Sequence, residues 1–193
     1  MQKDSILNII LVGVGLCIVC GAVISTVAVS LKDQQEQNVI FDQQSKIIDA
    51  ARLLEVYPSS QEALASIEEV VVNLNDGQPS GFPPEQYDLD SILRDSSQHT
   101  VLNGSDDIAM ISVRENLSKV YIEYRNNELK TLILPVRGYG LWGTLYGYLA
   151  LDSDLNTIVG LEFYKHKETP GLGAEVDNPN SVSYTHLTLP TIY

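Results

Sequence analysis

The chain has 193 residues, 44% of them hydrophobic, and a formal net charge of −13. Its 12 Lys and Arg are scattered without a basic stripe, which argues against a nucleic-acid partner. So acidic a chain is also repelled by anionic lipid, so its polar part is expected to stand off a membrane surface.

Ile6 to Leu31 reads "ILNIILVGVGLCIVCGAVISTVAVSL" and is apolar apart from Asn8 and a few hydroxyls. As a helix it would span about 39 Å, enough to cross a bilayer with some tilt. The rival is a cleavable signal peptide cut near Ala28-Val29-Ser30, but the apolar core is too long for one. Lys3 and Asp4 precede the run and Lys32 and Asp33 follow it, so the flanking charges give no orientation. Both cysteines, Cys17 and Cys20, lie inside it, and small residues packing against a neighbouring helix explain them better than a redox pair. Gly13, Cys17, Gly21 and Ser25 recur every four positions and form one stripe of small residues, suited to close approach of a partner helix.

Lys32 to Leu54 carries apolar residues at Val39, Ile40, Ile47, Ile48 and Leu54, an amphipathic helical pattern that Tyr57-Pro58 breaks. Ser59-Ser60 can cap a second helix, predicted from Gln61 to about Asn73. "DGQPSGFPP" from Asp76 to Pro84 is a loop, and "YDLDSILRDSSQ" is a short helix or irregular. Asn103 and Asn116 head N-x-Ser patterns that read as ordinary loop residues.

From Ser118 the pattern turns to strands. "KVYIEYR", the turn "NNE" and "LKTLILPV" make one hairpin. "GTLYGYLALD" and "NTIVGLEFYK" make another about Asp152-Ser153-Asp154. Four strands with short connections predict an antiparallel sheet flanked by helices, an α+β fold. Tyr121, Tyr124, Tyr146, Tyr148, Phe163 and Tyr164 are expected in the core or on a face of that sheet. The expected organisation is a tail at 1–5, a transmembrane helix at 6–31, a helical and loop region at 32–117 and the sheet at 118–181. A foreign tail follows at 182–193.

Two stretches could carry chemistry. In "ETPGLGAE", Pro170 fixes its own φ, while Gly171 and Gly173 permit positive φ and close backbone approach. Such a loop can hold an anion or the edge of a flat ring, although a tight turn after a strand has the same composition. In "RGYGLWGTLYGY", Gly138, Gly140 and Gly143 surround Trp142, the single tryptophan, whose indole could stack on an aromatic ligand or begin a strand as a core residue. His166 has no second His or Cys at metal-binding spacing. No nucleophile with a base, no phosphate loop of the Walker type and no dinucleotide fingerprint is found.

The stretch "LPVRGYGLWGTLYGYLALDSDLNTIVGLEFYKHKETPGLGAEVDNP" closely resembles the NqrC family, one of the subunits of the Na+-translocating NADH:quinone oxidoreductase. The N-terminal run and "DQQSKII" share the resemblance, so it covers most of the chain apart from its middle. The related Rnf-type electron-transport subunit, RnfG, shares "ETPGLG" but generally lacks the "PV-G-GLW" entrance, and is the alternative. The resemblance implies an FMN-binding-type domain held by one inner-membrane helix on the periplasmic side. It also implies FMN joined through its phosphate to a threonine by a flavin transferase, in a six-subunit sodium pump that oxidises NADH and reduces ubiquinone. Glu168, Thr169, Pro170, Gly171, Leu172 and Gly173 would surround the flavin without a covalent bond, with Trp142 nearby. A phosphate dianion is repelled by so acidic a domain, which makes a covalent tether physically sensible. The sequence equally allows a membrane-tethered module that binds a non-redox ligand in the same loops.

The family's attachment threonine lies in a Ser-(Gly or Thr)-Ala-Thr motif downstream of "ETPGLG", and this chain has none. It reads "VSYTHLTLPT" instead. Back-translated as GTCTCTTATACACATCTGACGCTGCCGACG, Val182 to Thr191 looks like the adapter of a transposase-based sequencing library, with a real but divergent C-terminus as the rival. The expectation is a native gene interrupted near Ser181, with a domain incomplete at its C-terminus. Thr185, Thr188 and Thr191 therefore inherit no flavin linkage.

Overall fold

The structure, a computed structural model, describes residues 6–178; the tail expected to be foreign lies outside them. The chain divides into two compact units, Met1–Asp42 and Gln43–Tyr193.

Helix α1, Ile6–Ala50, is continuous, so the two helices expected over 6–31 and 32–54 are one element. In the first unit its apolar side chains from Ile6 to Val29 are exposed, and it is long and apolar enough to cross a membrane. That exposure is what a lipid-facing helix presents. Gly13 and Gly21 of the small-residue stripe have nothing within 4 Å, and Cys17 is exposed.

In the second unit the last turns of α1 become amphipathic. Ile47, Ile48 and Ala50 are buried there. The helix stops at Ala50 rather than Leu54, because Arg52 turns left-handed at φ 51° and a short 3-10 turn follows at Leu53–Glu55. Helix α2, Ser60–Ala65, begins as expected: Ser59 Oγ accepts from the Glu62 N–H at 3.3 Å.

The helix predicted to run on to Asn73 is a correction. Strand β1, Ile67–Asn73, replaces its second half. Ile67, Val70, Val71 and Val72 are β-branched and favour an extended, half-buried surface. Val71 is buried. Helix α3, Leu89–Arg94, is capped by Asp88, whose carboxylate accepts from the Asp90 and Ser91 N–H groups. A two-stranded ribbon that the sequence did not announce follows, β2 at His99–Val101 and β3 at Val113–Glu115.

The main sheet adds β4 (Leu117–Arg125), β5 (Glu128–Tyr139), β6 (Thr144–Asp152) and β7 (Ile158–Lys165). It is antiparallel in the order β1-β4-β5-β6-β7. The four expected strands are present, and β1 joins them from the region expected to be helix and loop. Asn126 and Asn127 turn the β4–β5 hairpin with φ of 54° and 63°, the left-handed pair a two-residue hairpin needs. Strand β5 continues past the expected Val136 to Tyr139, which narrows the loop before β6 to Gly140–Gly143.

The core lies between the sheet and the helical end of α1. Ile47, Ile48, Ala50, Leu53 and Ala63 meet Tyr121, Ile133, Tyr148 and Ala150. Burying a side chain such as Ile133 contributes about 2–3 kcal/mol. Tyr148 packs edge-on to Tyr121 at 5.6 Å and stacks on Tyr164 at 4.7 Å. Of the expected tyrosine group, Tyr124 lies exposed on β4 rather than in the core.

Candidate functional site

The two loops singled out in the sequence meet in space. The turn Gly140–Gly143 closes the β5–β6 hairpin, where Tyr139 pairs with Thr144 and the Gly140 N–H donates to the Gly143 carbonyl at 2.8 Å. The second loop leaves β7 at His166. Glu168 joins them: its Oε1 accepts the Trp142 N–H at 3.1 Å, across 26 positions of sequence. The Glu168 residue is only 8% exposed, although its neighbours Thr169 to Gly173 are all exposed.

The glycines divide by role. At Gly171 the φ of 73° needs a residue without a Cβ penalty, and nothing lies within 4 Å of where a side chain would begin. A Cβ at Gly140 would lie 2.5 Å from Glu168 Oε1, and one at Gly173 would lie 2.8 Å from Glu168 Oε2. A Cβ at Gly143 would meet the aliphatic stem of Lys167 at 2.9 Å. The corner closes on itself at Thr169, whose carbonyl accepts the Leu172 and Ala174 N–H groups, both at 3.1 Å.

Trp142 is not a core tryptophan. It is 64% exposed, sits next to the exposed Leu141, and is tied through its N–H to the loop that bears the exposed Leu172. Exposed apolar side chains around a buried carboxylate fit a site covered by a flat aromatic ring. This surface and the open backbone at Gly171 are the observations that agree with a flavin.

The sequence did not foresee three supports. His166 Nδ1 accepts the Glu168 N–H at 3.2 Å, and its Nε2 lies 3.1 Å from Asp177 Oδ2. That places the ring proton on Nε2 and makes His166 a brace of the corner rather than an isolated surface group. The Tyr139 N–H donates to the Ala109 carbonyl at 2.8 Å, which brings the loop before β3 against the entrance of the turn. Asp107 shapes that loop by accepting from the Ile111 and Ser112 N–H groups at 2.7 and 2.8 Å.

A separate cleft of about 220 Å³ lies over the helix-facing side of the sheet. It is lined by Gln43, Arg137, Tyr146, Tyr148 and Tyr164 among others, and by none of the residues of the glycine corner. Arg137 there is ion-paired to Glu115 at 2.6 Å, both side chains nearly buried. Burial, reinforced by the Glu115 carboxylate, pushes the Tyr87 phenol at its edge up to about 12.

The FMN-binding domain family matches residues 140–188, beginning at the first glycine of the turn and enclosing Glu168 to Gly173. The NqrC protein of the Na(+)-translocating NADH-quinone reductase of Pseudomonas aeruginosa is 42% identical over 188 residues, covering 92% of this chain and 70% of that protein. The chain belongs to the NqrC family of Na+-translocating NADH-quinone reductase subunits. The Vibrio vulnificus NqrC is 38% identical over 180 residues, with 93% and 71% covered. Among solved structures, Shewanella oneidensis NqrC aligns with a TM-score of 0.63 at 29% identity, over 70% of this chain and 64% of that one. The NqrC of Parabacteroides distasonis aligns at 0.55, also at 29% identity, over 80% and 67%. With the long apolar α1, membership of the NqrC family supports a membrane-anchored chain with one candidate span among the described residues. The family match encloses the glycine corner and also Tyr146, Tyr148, Tyr164 and Lys165 of the cleft; the exposed Trp142 and Leu172 and the open backbone at Gly171 make the corner the candidate flavin site.

Proposed function

We infer that this chain is the FMN-carrying electron-transfer subunit of a Na+-translocating NADH-quinone reductase, anchored by α1 with its sheet domain on the periplasmic side. The observation that carries this is the coincidence of the FMN-binding family match with the two loops that Glu168 joins. FMN, when bound, supplies the electron-carrying chemistry that no side chain here provides. Thr169, Pro170, Gly171 and Leu172 would border the ring. Trp142 offers an exposed indole face for stacking, worth about 1 kcal/mol beyond the area it covers. Glu168 and Gly173 line the floor between the loops. The partners are the other subunits, reached in the membrane through the Gly13, Cys17, Gly21 and Ser25 stripe, and a flavin transferase. The stripe suits a helix that must be approached closely, where apolar burial alone gives no drive to associate.

The test is titration of FMN into the folded chain held in detergent, read by flavin fluorescence. Quenching on binding is expected. A folded chain that leaves FMN fluorescence unchanged would turn the reading toward a membrane-tethered module for a non-redox ligand.

A further inference from the structure

We propose that Glu168 is a positioning residue: its carboxylate is a strut set between the two loops, and Gly140 and Gly173 are glycines because that carboxylate fills the space their side chains would take. The proposal deepens the flavin reading and rests on it for the site's purpose, but the strut is argued from this chain's own atoms.

A buried carboxylate is costly unless it is well paired. Glu168 is 8% exposed, and among the described residues its side chain accepts one hydrogen bond, from the Trp142 backbone. No Lys, Arg or His among the described residues forms an ion pair with it. Glu123, also buried, contrasts with it by accepting from Arg125, Thr131 and Tyr57. Such thin pairing is poor support for folding stability and points to a local task. That task is legible in one atom the carboxylate meets and two positions it crowds. Oε1 holds the backbone of the residue that bears the indole. Oε1 also lies 2.5 Å from where a Cβ of Gly140 would be, a position that the Gly143 carbonyl oxygen and Leu145 Cδ1 crowd at 3.1 Å, and Oε2 lies 2.8 Å from where a Cβ of Gly173 would be. At Gly173 the three nearest atoms to that position all belong to Glu168.

The glycines of the corner thus serve different ends. Gly171 alone keeps an open approach and a left-handed φ. Gly140 and Gly173 give their space to a side chain of the same protein, so the strut fixes the separation of Trp142 from the Thr169–Gly173 edge.

The experiment is a double-mutant cycle in the full chain held in detergent, combining Gly173→Ala with Glu168→Ala, read by unfolding midpoint. Gly173→Ala is expected to lower the midpoint in the parent and to lose most of that penalty in the Glu168→Ala background. Amide exchange at Trp142 is the second readout. It should quicken roughly tenfold in Glu168→Ala and in the shorter Glu168→Asp, as expected for loss of one hydrogen bond. Glu168→Gln keeps an oxygen acceptor at full reach and should restore the parent rate. Additive midpoints, or Trp142 exchange unchanged in both Ala and Asp variants, would overturn the strut. Quenching by added lumiflavin separates the two claims. Exchange that responds as stated while no variant binds lumiflavin upholds the strut and removes the flavin; lumiflavin binding with unchanged exchange does the reverse.

Discussion

The Tyr57 hydroxyl donates to Glu123 Oε1 at 2.9 Å and so ties the segment just past α1 to the middle of β4. The carboxylate is fully buried and also accepts from Arg125 Nε at 2.6 Å and Thr131 Oγ1 at 2.9 Å. Burial pushes the Glu123 carboxyl up, but the hydrogen bonds from Arg125, Thr131 and Tyr57 outweigh it and hold it below the usual carboxylate range. The folded value is therefore depressed. Its stabilising contribution is present above the unfolded value, near 4.5, and is lost as pH falls through the folded value. Glu123→Ala leaves the hydroxyls of the buried Thr131 and the half-buried Tyr57 without this acceptor and is expected to cost about 3 kcal/mol, with a flatter acid limb of the stability curve. Denaturant unfolding at several pH values checks both.

Gly160 is a closer test of how α1 sits on the sheet. A Cβ there would collide with the Ala50 carbonyl oxygen, which is backbone and cannot swing aside. Gly160→Ala is expected to destabilise by about 2 kcal/mol through overpacking. Thermal or denaturant melts of the chain in detergent would show it, and an unchanged midpoint would mean that helix and strand can part at no cost.

The tyrosine layer makes an alkaline prediction. Burial raises the phenols of Tyr121, Tyr148 and Tyr164 well above their ordinary value, and neighbouring tyrosines add to this for Tyr148 and Tyr164. A raised value gives stability that is whole below the unfolded value, near 10, and lost as pH climbs toward the folded one. Tyr87 and these three should stay protonated past the ordinary tyrosine range. Phenolate absorbance during alkaline titration should then show a delayed, cooperative step coinciding with loss of far-ultraviolet dichroism.

His166 braces the site without contacting Trp142. His166→Ala removes the acceptor of the Glu168 N–H and the partner of Asp177. The Glu168 amide is expected to exchange roughly tenfold faster. The global melt should move less than in Gly173→Ala, because the change removes a brace without forcing a side chain into occupied space. Hydrogen exchange read by mass spectrometry resolves the segment.

How much was legible depended on the range of the interaction. The Asn126-Asn127 hairpin could be read because two adjacent residues fix its backbone. The start of α2 could be read from its Ser59 cap, but its end could not, since "IEEVVVN" becomes a strand by pairing with β4. Glu69 reaching Lys119 at 3.1 Å belongs to that pairing and not to a helix face. The ribbon β2–β3 was hidden because each strand is three residues long and eleven residues of loop separate them. The motif "ETPGLG" and the lone Trp142 were both picked out as local signals. Their joining by one carboxylate was not, because nothing within either stretch records a contact 26 positions away.

That distant contact sets the smallest piece of this protein that could be moved elsewhere. A linear peptide of residues 166–178 would carry every letter of the glycine motif and none of its geometry, for the slot that receives Glu168 is walled partly by Gly140 and the Trp142 backbone. A graft intended to carry the corner into another scaffold has to take the β6–β7 hairpin with both flanking loops, from Tyr139 through Asn178, as a single block.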